Sequence, residues 1–185
     1  AFMLFNDGVQ TTIAMAAIYA TETLDLGLVV VIGGVLIVQF IAFFGAMGFG
    51  RLATRFGTKR ALLSSIVVWA AVTVTAYFLP AGEAAPFLAL AVVIGLVLGG
   101  TQALSRSLYG SMIPEEASAE FYGFYTVFTK FSSIWGPLVF GVIKQMTGSS
   151  RLAILSLIAF FVVGLLLLSQ VNDQKAREAK AAGAF

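Results

Sequence analysis

Apolar residues gather in six long runs, near residues 2–19, 29–49, 61–79, 87–109, 119–143 and 152–169, parted by short polar segments. As an α-helix rising about 1.5 Å per residue, each run is long enough to approach or cross roughly 30 Å of hydrocarbon. The pattern predicts an all-α, polytopic membrane protein, with a six-helix transmembrane bundle over residues 1–169 and a polar tail over 170–185. Short connections are those of a packed bundle, and six crossings return the chain to its starting side. Within the fifth run, Pro137 of Gly136-Pro137 lacks a backbone donor, which predicts a bend. Small residues four apart at Gly95 and Gly99, and at Ala42, Ala46 and Gly50, predict close helix contacts.

Composition sharpens this picture by exclusion. Of the 185 residues, 59% are hydrophobic and 11% charged, and the mean hydropathy of +0.98 is that of a chain dissolved in a bilayer. Cysteine and histidine are both absent. Disulfides, thiol nucleophiles, imidazole acid-base chemistry and the usual zinc sites are therefore excluded, and neither an enzyme nor a metal or cofactor is expected. The net charge is only +2, with cations scattered over loops and tail, so no nucleic-acid surface is expected. The chain opens on Ala1 directly in apolar sequence without a basic leader, which predicts a start inside a longer protein.

Charge also sets the expected orientation. Between the second and third runs, the stretch from Gly50 to Arg60 carries Arg51, Arg55, Lys59 and Arg60, while Gly50 and Gly57 suit a tight reversal. Arg106, Lys175, Arg177 and Lys180 fall on the same side, against Lys144 and Arg151 on the other. Cations resist translocation, so both termini are expected in the cytoplasm.

Polar side chains are unevenly spread over the runs. The first carries Asn6, Asp7, Gln10, Thr11 and Thr12, the second Gln39, the fourth Thr101, Gln102, Ser105 and Arg106, and the fifth Lys130, Ser132 and Ser133. An ionised group in hydrocarbon costs at least about 2.5 kcal/mol on insertion scales. Runs one, two, four and five are therefore expected to enclose a polar cavity, with three and six against lipid. Asp7, Gln10, Gln39, Gln102 and Lys130 are the candidate substrate or coupling-ion residues, and Arg106 a gate or ion-pair partner. Lys130 falls roughly 16 Å from the cytoplasmic face, near the midplane, and Asp7 is expected to reach either Lys130 or Arg106. Two readings of Lys130 stand side by side: a structural ion pair, or a site for substrate or coupling ion. Trp69 and Trp135 read as lipid-facing or packing residues, Tyr19 and Tyr77 as an aromatic belt, and Glu115, Glu116 and Glu120 as a solvated loop and helix start.

The basic stretch GRLATRFGTKR resembles the signature loop of the major facilitator superfamily, matching it at Gly50, Leu52, Ala53, Arg55, Phe56, Gly57, Lys59 and Arg60, with Thr54 in place of the acid. Further segments, Asn6 to Thr11, Gly99 to Ser107, Glu120 to Lys130 and Gly136-Pro137, resemble the vacuole-effluxer-like branch of that superfamily. Fungal members of that branch are associated with amino-acid export from the vacuole. The resemblance implies the C-terminal six-helix half of a major facilitator fold, a missing N-terminal half as partner, and a bacterial cell membrane as location. It also implies a secondary active transporter that moves a small polar solute by alternating access. Amino acids are the candidate substrate, and protons, through Asp7, the candidate coupling ion. A six-helix channel and a non-transporting scaffold are the alternatives.

Overall fold

The computed structural model describes residues 1–114 and 117–181. Glu115, Glu116 and the side chain of Arg177 lie outside the described residues. The described chain is helical throughout and contains no strand: α1 (Phe2–Glu22), α2 (Leu28–Phe56), α3 (Thr58–Tyr77), α4 (Ala84–Gly110), α5 (Ser118–Phe131), α6 (Trp135–Thr147), α7 (Ser150–Ser156), α8 (Ile158–Gln170) and α9 (Asp173–Ala181). Five segments are long and apolar enough to cross a membrane: α2, α3, α4, the α5–α6 segment and the α7–α8 segment. Although α1 has 21 residues, Asn6, Asp7, Gln10, Thr11 and Thr12 reduce its apolar character, and it is not among those five.

Local chemistry explains where the helices stop. Most of the basic stretch, expected as a turn, is helix: α2 continues through Arg51 and Arg55 to Phe56, and α3 begins at Thr58. The reversal is confined to Gly57, whose φ of 91° side-chain-bearing residues rarely adopt. Gly50 lies within α2, where a β-carbon would meet nothing within 4 Å. The fifth run breaks between Phe131 and Trp135, where the Pro137 ring would collide with the carbonyl four residues earlier in a continuous helix. At Gly148 a left-handed residue ends α6, donating its N–H to the Lys144 carbonyl. Within the polar tail, Asn172 accepts the Lys175 N–H and opens α9.

Packing relies on missing side chains. A β-carbon at Gly99 would stand 1.8 Å from the Ala42 carbonyl oxygen, and one at Gly45 would stand 2.1 Å from that of Leu96. Helices α2 and α4 are thus in backbone contact, which only glycine allows. Helices α1 and α8 interlock reciprocally, Gly8 beneath the Phe161 ring and Gly164 beneath Phe5. At the centre Trp69 is fully buried, its ring 5.9 Å from that of Phe161 and parallel within 10°. The Trp69 indole N–H donates to Thr101 Oγ1 at 3.1 Å.

Two expectations about placement change. Helix α3 is not mainly a lipid-facing element: Leu62, Ser65, Ile66, Trp69, Val72 and Thr73 are buried, leaving Val67, Ala71 and Val74 on its open face. Lack of charge marks a helix as compatible with lipid, but small and hydroxyl side chains suit it equally to tight packing. Tyr19 is buried rather than part of a belt, and its hydroxyl donates to the Ala76 carbonyl. Trp135, in contrast, is 57% exposed.

At the end of the bundle opposite Gly57, cross-links join separate connections. Arg151 donates to the Tyr77 carbonyl at 2.8 Å, Lys144 pairs with Glu22, and the Gly82 N–H donates to the Leu24 carbonyl at 2.7 Å.

Candidate functional site

Three of the sequence-derived candidates converge. A cleft between α1, α4 and α5 is lined by Gln10, Gln102 and Arg106, together with Asn6, Tyr125 and Thr129. Helical spacing explains the convergence: Asn6 and Gln10 are four apart on α1, Gln102 and Arg106 on α4, and Tyr125 and Thr129 on α5, so each pair shares a face. The Tyr125 hydroxyl faces the Arg106 guanidinium. Aromatic stacking fixes the Tyr125 ring, since Phe2 lies 4.5 Å away and Tyr109 5.0 Å away, centroid to centroid. Tyr109 is itself tied down, its hydroxyl donating to the Phe121 carbonyl at 2.9 Å. The cleft therefore offers amide donors and acceptors, the hydroxyls of Thr101, Ser105, Tyr125 and Thr129, and one permanent cation. Such groups can orient a small polar or anionic solute.

Asp7 lies behind this cleft rather than on it. Its side chain is only 1% exposed, and one carboxylate oxygen accepts the Gly136 N–H at 2.9 Å. Among the described residues neither Lys130 nor Arg106 forms an ion pair with it. Geometry gives the reason: the carboxylate is held against the first turn of α6, whose unpaired N–H groups attract an anion. Its neighbour Asn6 donates to Ser132 Oγ at the end of α5. Adjacent α1 residues thus hold the two sides of the break in the fifth run.

The remaining candidates are dispersed. Lys130 sits exposed in the last turn of α5, beside the break but outside the cleft lining. Gln39 lines a different, largely apolar groove with Thr12, Val38, Phe87 and Leu98. In the basic stretch, Arg51 and Arg55 are exposed, with the Arg55 guanidinium 5.4 Å from the Phe56 ring centroid. Lys59 turns inward and donates to the Ser169 and Val171 carbonyls, while Arg60 and Gly57 line a polar cleft with Asp173 and Gln174. The Thr54 hydroxyl donates to the Arg51 carbonyl, satisfying itself within α2.

Sequence reasoning missed Tyr125 and Thr129 as cleft residues, and Thr11 as part of the break. The spacing of Tyr122, Tyr125 and Thr129 was an available signal for a polar face. No local pattern pairs Asp7 with a residue 129 positions away.

Comparison with known proteins gives this geometry its setting. The family model described as vacuole effluxer Atg22 like matches residues 1–181. The uncharacterized MFS-type transporter YxiO of Bacillus subtilis (strain 168) is 37% identical over 174 residues, covering 94% of this chain and 40% of that protein. Autophagy-related protein 22-1 of Neosartorya fischeri is 31% identical across 100% of this chain and 32% of its own length. Autophagy-related protein 22 of Cryptococcus neoformans is 29% identical over 96% of the chain and 35% of that protein. The chain thus spans about a third to two fifths of these relatives. No solved structure matches. With a family match over nearly its whole length and five segments long and apolar enough to cross a membrane, the chain is a multi-pass integral membrane protein that belongs to the vacuole effluxer Atg22-like family of MFS-type transporters.

Proposed function

We propose that this chain is the C-terminal six-helix half of a secondary active transporter that moves a small polar solute by alternating access. The observation that carries this reading is the cleft of Gln10, Gln102, Arg106 and Tyr125, polar groups brought together from three helices of an apolar bundle. In this reading α1 is the sixth crossing, since the basic stretch and α9 lie at one end of the bundle and Lys144 and Arg151 at the other. The cation-rich end faces the cytoplasm. The other six-helix half covers the open faces of α2 and α5, where Phe40, Phe43, Phe124, Phe128 and Lys130 are exposed. Substrate passes between the halves, with Arg106 as its charged contact and Asp7 as a brace behind the site. Amino acids are the first class to test, and a proton gradient the first driving force. The bacterial cell membrane is the location proposed from the similarity to the Bacillus protein.

Reconstitution of the full-length protein in liposomes tests this. Saturable uptake of a labelled amino acid, accelerated by unlabelled substrate on the opposite side, is the expected result. Discrete single-channel current steps, or flux proportional to concentration without counterflow, would overturn it.

A further inference from the structure

We propose that Asp7 and Thr11 are positioning residues for the second half of the fifth span. Asp7 holds the start of α6 in the present state, and Thr11, one turn along α1, receives the same N–H when α6 slides along α1.

The start of α6 has few partners of its own. Ile134 occupies the capping position and supplies no side-chain hydrogen bond, while Pro137 has no N–H to satisfy. The Gly136 N–H is donated instead across the bundle to Asp7. Four residues later on the same face of α1, about 6 Å along its axis, the buried Thr11 hydroxyl stands beside the Asp7 carboxylate. The hydroxyl can only donate to that carboxylate, and no donor among the described residues reaches its own lone pairs. It also borders Gly136 directly, since a β-carbon there would stand 1.9 Å from Thr11 Oγ1. A glycine N–H thus lies between one acceptor in use and one unused.

In hydrocarbon a helix start cannot move away from its acceptor without stranding a backbone N–H, which is strongly unfavourable. Two acceptor oxygens that both border Gly136 remove that obstacle, because a small slide passes the N–H from one to the other. The joint for such a movement is present: residues 132–134 are non-helical, and Asn6 anchors Ser132 on the α5 side. The absence of a side chain at Gly136 is what lets it lie against Thr11 Oγ1.

The inference that this movement belongs to the working cycle rests on the transport reading, whereas the role of Asp7 as a brace does not. The chain has no cysteine of its own, so the Ser133→Cys variant of the full-length protein, with any cysteines elsewhere replaced, provides a reporter for maleimide labelling in membranes. Replacing Asp7 with alanine is expected to raise the labelling rate at least fivefold, while Asp7→Asn, whose amide oxygen still accepts, stays within about twofold of the parent. Equal rates in all three overturn the brace. In transport assays, Thr11→Val is expected to lower Vmax at least fivefold with KM within twofold, Thr11→Ser to restore it, and the melting midpoint of Thr11→Val to equal or exceed the parent's. Parental Vmax in Thr11→Val overturns the sliding movement, as does a melting midpoint that falls with Vmax, which would mark a packing role. Full protection by Asp7 in a protein that moves no solute would sink the transport reading and the sliding movement while leaving the brace intact.

Discussion

The Lys59 ammonium donates to the Val171 carbonyl oxygen at 2.6 Å and to that of Ser169 at 2.9 Å, so a cation of the signature stretch closes the C-terminal end of α8. Carbonyls at a helix end lack intrahelical partners and carry partial negative charge, and a lysine answers both needs. Replacing Lys59 with methionine keeps the aliphatic stem and removes the donor. The expected cost is about 2 kcal/mol, typical of a hydrogen bond to a charged group. Faster amide exchange around residues 168–172 and a lower melting midpoint would register it.

Glycine contacts between α2 and α4 make a sharper prediction. Gly99→Val would drive a side chain into the Ala42 carbonyl, already 1.8 Å from a β-carbon at that site, and backbone cannot yield as a flexible side chain can. A loss of about 3 kcal/mol or failure to fold is expected. Gly48→Ala meets nothing within 4 Å and is expected to be neutral or to gain about 0.5–1 kcal/mol of helix propensity. Detergent melting curves of the two variants, compared with the parent, check the contrast.

Trp69 makes a hydrogen bond within an otherwise apolar contact. Thr101 keeps its own bond to the Val97 carbonyl when the indole is removed, so Trp69→Phe leaves no donor stranded. The expected loss is about 1 kcal/mol for the hydrogen bond plus a small packing term, whereas Trp69→Ala, which empties the site, is expected to cost about 3–5 kcal/mol. Chemical denaturation in mild detergent distinguishes the two.

The cleft makes a kinetic prediction. Arg106→Ala removes the charged contact and is expected to raise KM for an anionic or zwitterionic solute at least tenfold, about 1.4 kcal/mol. Gln39→Leu, in a separate groove, is expected to change KM less than twofold. Initial-rate uptake by the full-length protein over a range of substrate concentrations measures both. A result in which Gln39 matters and Arg106 does not would relocate the site.

Much of the architecture was legible because hydrocarbon imposes a simple rule on length and polarity. The apolar runs fall on the helices, although α2 continues past its run to Phe56 and the fifth and sixth runs are each divided in two; Gly136-Pro137 marked the break in the fifth, and Gly95 and Gly99 marked the approach of α4 to α2. Partnerships were less legible. Asp7 near two cations suggests an ion pair, yet the chain gives its carboxylate a backbone N–H from a broken helix, and no rule of local spacing reveals that choice. Tyr19 was misjudged for a related reason: its position near a helix end suits an interfacial ring, but a carbonyl on α3 lay within reach of its hydroxyl. The cleft was half readable, since Gln10, Gln102 and Arg106 stood out as polar groups in apolar runs, while Tyr125 was hidden among many aromatics.

Because Gly57 alone separates α2 from α3, the link between them contains no slack. Any change in the angle between α2 and α3 has only the backbone of that one glycine to turn about, as at the elbow of a crank. The cations around that elbow lie at the base of two long arms, α2 and α3. The far rim is stitched by Arg151, Lys144 and Gly82, so the connections there are tied to one another, whereas the elbow has one residue to itself.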